Sequence, residues 1–219
     1  QLVTNGTFNF EFGTEDIYGA MKYFSHNIAD LKGKTKKRKP KFNPIVNVND
    51  MQHIVPQILE VDLIISEDQY YLISLALPMK LLSIDHLPNS PKSSKTIMET
   101  IDKHLNKLNT HHFTVTQIKC DGEPGLVALR NYYAQKGIEI MVGSRNDKNT
   151  CTPTLDVMIQ ILKNKVRTSI HSLPFIFPLK FLKYAFTFMA NRMNMTSSSK
   201  SVLSPREILT SRKLKHDVD

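Results

Sequence analysis

Three aspartates have the residue type and setting for metal-assisted chemistry. Asp62 lies within "LEVDLII", flanked by Val61 and Leu63 in a run rich in β-branched residues. Asp121 lies in "KCDGEPG", where a strand-like run gives way to a helix-like one. Asp156 falls in the first turn of a helical pattern that opens "TPTLDVMIQILKNKV". An unpaired carboxylate among apolar neighbours costs on the order of several kcal/mol unless something compensates it. Three carboxylates gathered in one place repel one another, and divalent cations relieve that repulsion. An oxygen-only ligand set suits Mg²⁺, or Mn²⁺ by size. Two such ions stabilise both the attacking and the leaving oxygens of an in-line phosphoryl transfer. Each acid also has a plainer reading. Asp156 suits a helix N-terminus through the dipole alone, Asp121 can be a turn residue ahead of Gly122, and Asp62 can pair with a buried lysine.

The elements that must position these acids follow from periodicity. "ILEVDLIIS" (58–66), "YYLISLAL" (70–77) and "MKLLSIDHL" (79–87) read as three strands of an antiparallel meander. "SSKTIMETIDKHLNKL" (93–108) places Ile97, Ile101, Leu105 and Leu108 on one helical face. A strand (113–121), a helix (125–137) closed by Gly137, and a further strand (138–143) follow, then helices over about 153–172 and 178–195. The order β-β-β-α-β-α-β-α-α predicts an α/β fold: a ribonuclease-H-like mixed five-stranded sheet with helices on both faces. In that fold the first strand is central and the fourth lies beside it, which makes Asp62 and Asp121 neighbours. On the helix from 153, Asp156, Gln160, Lys163 and Arg167 share a polar stripe, and Leu155, Met158, Leu162 and Val166 form the buried one.

Charge and composition bound the partners. The chain of 219 residues carries 29 Lys and Arg against 20 Asp and Glu, and seven of the basic residues fall in "KGKTKKRKPK" (32–41). Outside that run the balance is 22 against 20, so a nearly neutral body bears one cationic segment. Lys34, Lys36, Lys37, Arg38 and Lys39 suit a polyanion through counterion release or a nuclear-localisation patch, and equally a solvated linker. No apolar stretch reaches the roughly 20 residues that span a bilayer. "LPFIFPLKFLKYAFTFMA" (173–190), broken by Lys180 and Lys183, reads as a buried helix with its lead-in. Cys120 and Cys151 are the only cysteines, which suits a reducing intracellular setting and predicts no zinc site. "QLVTNGTFNF" has no signal-peptide pattern, and a start at Gln reads as a piece of a longer chain. The organisation read from composition is a helical extension (1–31, with a stripe of Ile17, Met21 and Phe24), a basic linker (32–57), a core (58–195) and a tail (196–219).

Several segments resemble the integrase catalytic core of copia-type LTR retrotransposons, within the retroviral integrase superfamily. "DLKGKTKKRKP" resembles the basic segment upstream of that core, and "KCDGEPG" its strand-end acidic stretch. "TPTLDVMIQILKNKVRTSI" resembles the helix that normally opens with Glu, and "SPREILTSRK" the closing "SPxELLTGRK" segment. The resemblance implies a polynucleotidyl transferase from a transposable element. Asp62, Asp121 and Asp156 would be its metal-binding catalytic acids, with two Mg²⁺ or Mn²⁺ ions. It also implies DNA as partner (element ends and target, contacted by the basic run with Gln160, Lys163 and Arg167), a homo-oligomer, and nuclear action.

Four departures accompany the resemblance. The third acid is Asp where the family has Glu, and 34 residues separate Asp121 from Asp156, one fewer than the family spacing. Mariner-type transposases do use three aspartates at such a spacing. "SRNDKNTCTPT" lacks the family's Gly and His, and the chain has no His/Cys zinc module ahead of the core. Two further readings therefore stand beside an integrase: a catalytically inactive domain that binds nucleic acid or a protein partner, and a ribonuclease-H-type nuclease.

Overall fold

The structure, a computed structural model, describes residues 56–87, 93–143, 151–197 and 203–211. Residues 49–159 form one compact unit, and residues from 160 onward belong to a second. The basic run with Lys34, Lys36, Lys37, Arg38 and Lys39, and the stripe of Ile17, Met21 and Phe24, lie outside the described residues.

The first unit is built on a five-stranded sheet. Strands β1 (Gln57–Ser66), β2 (Gln69–Leu77) and β3 (Leu81–Leu87) form the antiparallel meander, and β4 (Val115–Cys120) and β5 (Glu139–Val142) add in parallel. The order β3-β2-β1-β4-β5 puts β1 at the centre with β4 beside it, as the ribonuclease-H-like fold requires. The first hairpin turns at Glu67 and Asp68, both in the left-handed region where a short polar residue is tolerated best. β3 begins at Leu81 rather than 79, because Met79 and Lys80 complete a turn closed by the Lys80 N–H on the Ala76 carbonyl at 2.7 Å.

Strand pairing fixes the two faces. Leu59, Val61, Leu72, Ser74, Ile118 and Cys120 share one face, and Glu60, Asp62, Ile73, Leu75, Lys119 and Asp121 follow the alternation to the other. Helix α1 (Ser94–Thr110) packs on the first face over β2 and β3, burying Ile97, Ile101, Leu105 and Leu108 at the expected helical spacing. The segment expected as one helix over 125–137 is two short ones, α2 (Pro124–Val127) and α3 (Arg130–Gln135). Between them the Leu129 N–H turns back to Leu126 at 3.1 Å, a tighter bond than the α-helical one, which breaks the rod. Gly137 follows α3 at φ 72°, a conformation that favours glycine.

Helix α4 (Pro153–His171) starts in the first unit and continues into the second. Its buried stripe is Leu155, Ile159, Leu162 and Val166, so Ile159 takes the place expected for Met158, which is half-buried. In the second unit a 3₁₀ turn (Leu179–Phe181) leads into α5 (Leu182–Asn194), and α6 (Pro205–Thr210) opens on a capping box between Ser204 and Glu207.

The expectation of a buried helix over 173–190 is corrected here. Leu182, Phe186 and Ala190 are buried, but Phe175, Ile176, Phe181, Tyr184 and Phe188 are exposed, Ile176 almost completely at 95%. A helix has one inward stripe, and this one carries apolar residues on its outer side as well. Of these, Phe175, Phe181, Tyr184 and Phe188 line an apolar groove of about 610 Å³ with Val166, Ile170 and Leu173. Among the described residues no helix is long and apolar enough to cross a membrane.

Candidate active site

The last paired positions of the two central parallel strands are Val61 and Cys120, and each is followed by an aspartate. Asp62, within β1, and Asp121, just past the end of β4, therefore stand at the same level and on the same face of adjacent strands. Sheet geometry, not local sequence, makes neighbours of residues so far apart along the chain. Asp121 is also a turn residue: the Glu123 N–H bonds its carbonyl at 2.7 Å, bending the chain sharply at Gly122. The two readings of "KCDGEPG" are thus compatible.

Beside Asp121, the backbone of β5 ends at Gly143, whose N–H bonds the Cys120 carbonyl at 2.9 Å. A Cβ on Gly143 would stand 2.7 Å from the Cys151 Cβ and 3.5 Å from Asp121 Oδ1. The site needs glycine here because no side chain fits between the start of the α4 lead-in and the acid.

Asp156 arrives from the facing helix. Its N–H bonds the Thr152 carbonyl at 3.0 Å, the first turn of α4. The preceding residue, Leu155, donates its N–H to the carboxylate of Glu60 at 2.7 Å. Glu60 lies two residues before Asp62 on β1, on the same face, and is 3% exposed. This bond brings the start of α4 over the sheet face that carries Asp62 and Asp121.

Electrostatics records the gathering. Burial first, and then the charges of Asp121, Asp156 and Glu123, raise the Asp62 carboxyl to about 6. A hydrogen bond from the Leu63 N–H to Asp62 Oδ1, at 2.7 Å, only partly opposes them. Glu60 is raised as well, chiefly by burial. The Leu155 N–H and Lys119, its neighbour on β4, work against the rise, and Asp156 adds to it. Asp62 thus senses the charges of three other acids, Asp121, Asp156 and Glu123, and neutralising any of those three favours its ionised state.

A hard dication fits this donor set by chemistry, since every candidate ligand is a carboxylate oxygen. Among the described residues no group of three His, Cys, Asp or Glu side chains is arranged to hold an ion. Mg²⁺ does not need such a cage: it keeps several waters and binds through one or two carboxylates plus substrate phosphates.

Gln160 and Arg167 are exposed and Lys163 is half-buried, all along the part of α4 that belongs to the second unit. Glu60 is the site residue that sequence reading missed. Strand alternation alone puts it beside Asp62 on one face, and that was the available signal.

No family model matches the chain, and no curated protein sequence matches it. Solved structures do. One is the catalytic core domain of BIV integrase, at 13% identity and a TM-score of 0.53, covering 70% of this chain and 93% of that one. At that identity the likeness establishes the fold, the mixed-sheet ribonuclease-H-like architecture of a retroviral integrase core.

Proposed function

We propose that this chain is the catalytic core of a copia-type retrotransposon integrase, a metal-dependent polynucleotidyl transferase that processes and joins DNA ends. The observation that carries the reading is the pair Asp62, within β1, and Asp121, at the end of the adjacent parallel β4, level with each other, with Asp156 entering from the first turn of α4. Bound divalent cations would supply charge neutralisation at the phosphoryl group under attack. Asp62 and Asp121 would hold them, and Asp156 would complete the second position. Gly143 keeps the space beside Asp121 clear of side chains. Lys163, Arg167 and the basic run at 32–41 would meet DNA phosphates. The reading includes a homo-oligomer acting on nuclear DNA.

A second reading is supported by the third acid. Asp156 is one methylene shorter than the Glu of the family, and about 1 Å of misplacement can lower a rate on the order of a hundredfold. The chain would then bind DNA without cutting it.

Mg²⁺- or Mn²⁺-dependent nicking and strand transfer on a DNA oligonucleotide, measured beside Asp121→Asn, tests the first reading. Activity in the wild type that Asp121→Asn abolishes is the expected result. Equal background in both proteins, with salt-sensitive DNA binding intact, would leave the second.

A further inference from the structure

We propose that Glu60 is the positioning residue of the acidic site, a clamp that reaches from β1 to the first turn of α4 and sets where Asp156 stands. This rests on the integrase reading of that site.

The geometry has three parts. Glu60 is 3% exposed, and its carboxylate accepts the Leu155 N–H at 2.7 Å. Leu155 is itself fully buried and immediately precedes Asp156, so the bond fixes the backbone from which that acid projects. Two residues after Glu60 on the same face of the same strand comes Asp62, so one rigid strand carries both the clamp and a candidate ligand.

A further observation is what the helix gives up. The first free N–H groups of a helix are ordinarily satisfied by the side chain of the residue just before it, and Thr152 is well suited by type and place. Its carbonyl does accept the Asp156 N–H, but its hydroxyl, with the residue 0% exposed, has no hydrogen-bond partner. The acceptor for Leu155 comes instead from across the fold. A local cap would have closed the helix end without fixing its position. A cap from β1 closes it and ties it to the strand of Asp62, at the expense of a buried carboxylate and an unsatisfied buried hydroxyl, both of which are costly.

Glu60→Ala and Glu60→Gln in the whole chain separate this role from simple stability. Gln keeps an oxygen that can accept the Leu155 N–H, and Ala does not. Amide hydrogen exchange over residues 151–158 and Mn²⁺ affinity by titration calorimetry are the readouts. Glu60→Ala is expected to raise exchange at Leu155 at least tenfold, leave β2 unchanged and weaken Mn²⁺ binding at least tenfold. Glu60→Gln is expected to stay within about fivefold of wild type in both. If Glu60→Ala does not fold, Glu60→Met, which keeps the volume, is measured in its place. Unchanged exchange at Leu155, exchange raised evenly across the sheet, or unchanged Mn²⁺ affinity overturns the clamp. A wild type that binds no Mn²⁺ overturns the metal reading and the clamp's purpose with it, whereas equal Mn²⁺ binding by wild type and Glu60→Ala overturns the clamp alone.

Discussion

The hydroxyl of Ser74 and Nδ1 of His104 meet at 2.7 Å, both residues buried, on the sheet face opposite the acids. The other ring nitrogen, Nε2, lies 2.8 Å from Asp85 Oδ2. A carboxylate can only accept, so Nε2 carries the proton and Nδ1 accepts from the serine. Burial holds His104 below the usual histidine range, in keeping with a neutral ring. The relay ties β2, β3 and α1 together, and Ser74 has 1% exposure, which removes it from any substrate.

Ser74→Ala should therefore destabilise without touching the acidic face. The buried Nδ1 acceptor loses its donor, a loss of about 1–3 kcal/mol. Urea unfolding at pH 7.5 measures it, and Mn²⁺ affinity should not change.

Asp62→Asn should stabilise the protein, and only at higher pH. The folded value of about 6 lies above the ordinary 3.8, so the native state holds this proton more tightly than the unfolded chain. That contribution is complete below about pH 4 and is lost as pH rises through 6. Above the window the ionised carboxylate is a net burden, which Asn removes, gaining on the order of 1–2 kcal/mol at pH 8. At pH 4 the two proteins should unfold at the same urea concentration. A constant difference across pH would show that the gain does not come from ionisation.

Mg²⁺ should act on the same charge. Raising it to 10 mM should lift the wild-type melting temperature at pH 8 more than at pH 5, where Asp62 is largely protonated. Asp62→Asn should respond less at both, as read by calorimetry.

Gly143→Ala should be poorly tolerated. Its methyl would meet the Cys151 Cβ at 2.7 Å, and crowding of this kind costs about 1–3 kcal/mol. Cys151→Gly in the same chain removes the opposing atom and should recover much of the loss. A single Gly143→Ala variant with wild-type melting temperature would show that the turn shifts freely.

Much of the fold was legible because short-range pattern and long-range packing agree. The stripe of Ile97, Ile101, Leu105 and Leu108 needed only helical spacing, and all four are buried. Asp62 and Asp121 could be placed together once the strand order was known. The apolar run at 173–190 misled because hydropathy reports residue type and not which side of a helix meets other atoms. Its outer residues Phe175, Ile176 and Phe188 have no such partner side. Glu60 was passed over for the opposite reason, although strand alternation put it on the face of Asp62. A glutamate in a strand reads as solvent-facing, and its burial depends on where the start of α4 comes to rest, 95 residues away in sequence from its hydrogen-bond partner.

The parallel seam between β1 and β4 has a kinetic consequence. The β1–β2–β3 meander needs only tight turns and can form early, while Val61 meets Cys120 only after the whole stretch between them has been gathered in. Closing so large a segment is entropically slow. Since one aspartate lies on each side of that seam, a half-folded chain holding only its hairpins would leave Asp62 without Asp121 beside it. The arrival of the fourth strand is the step that brings Asp121 beside Asp62.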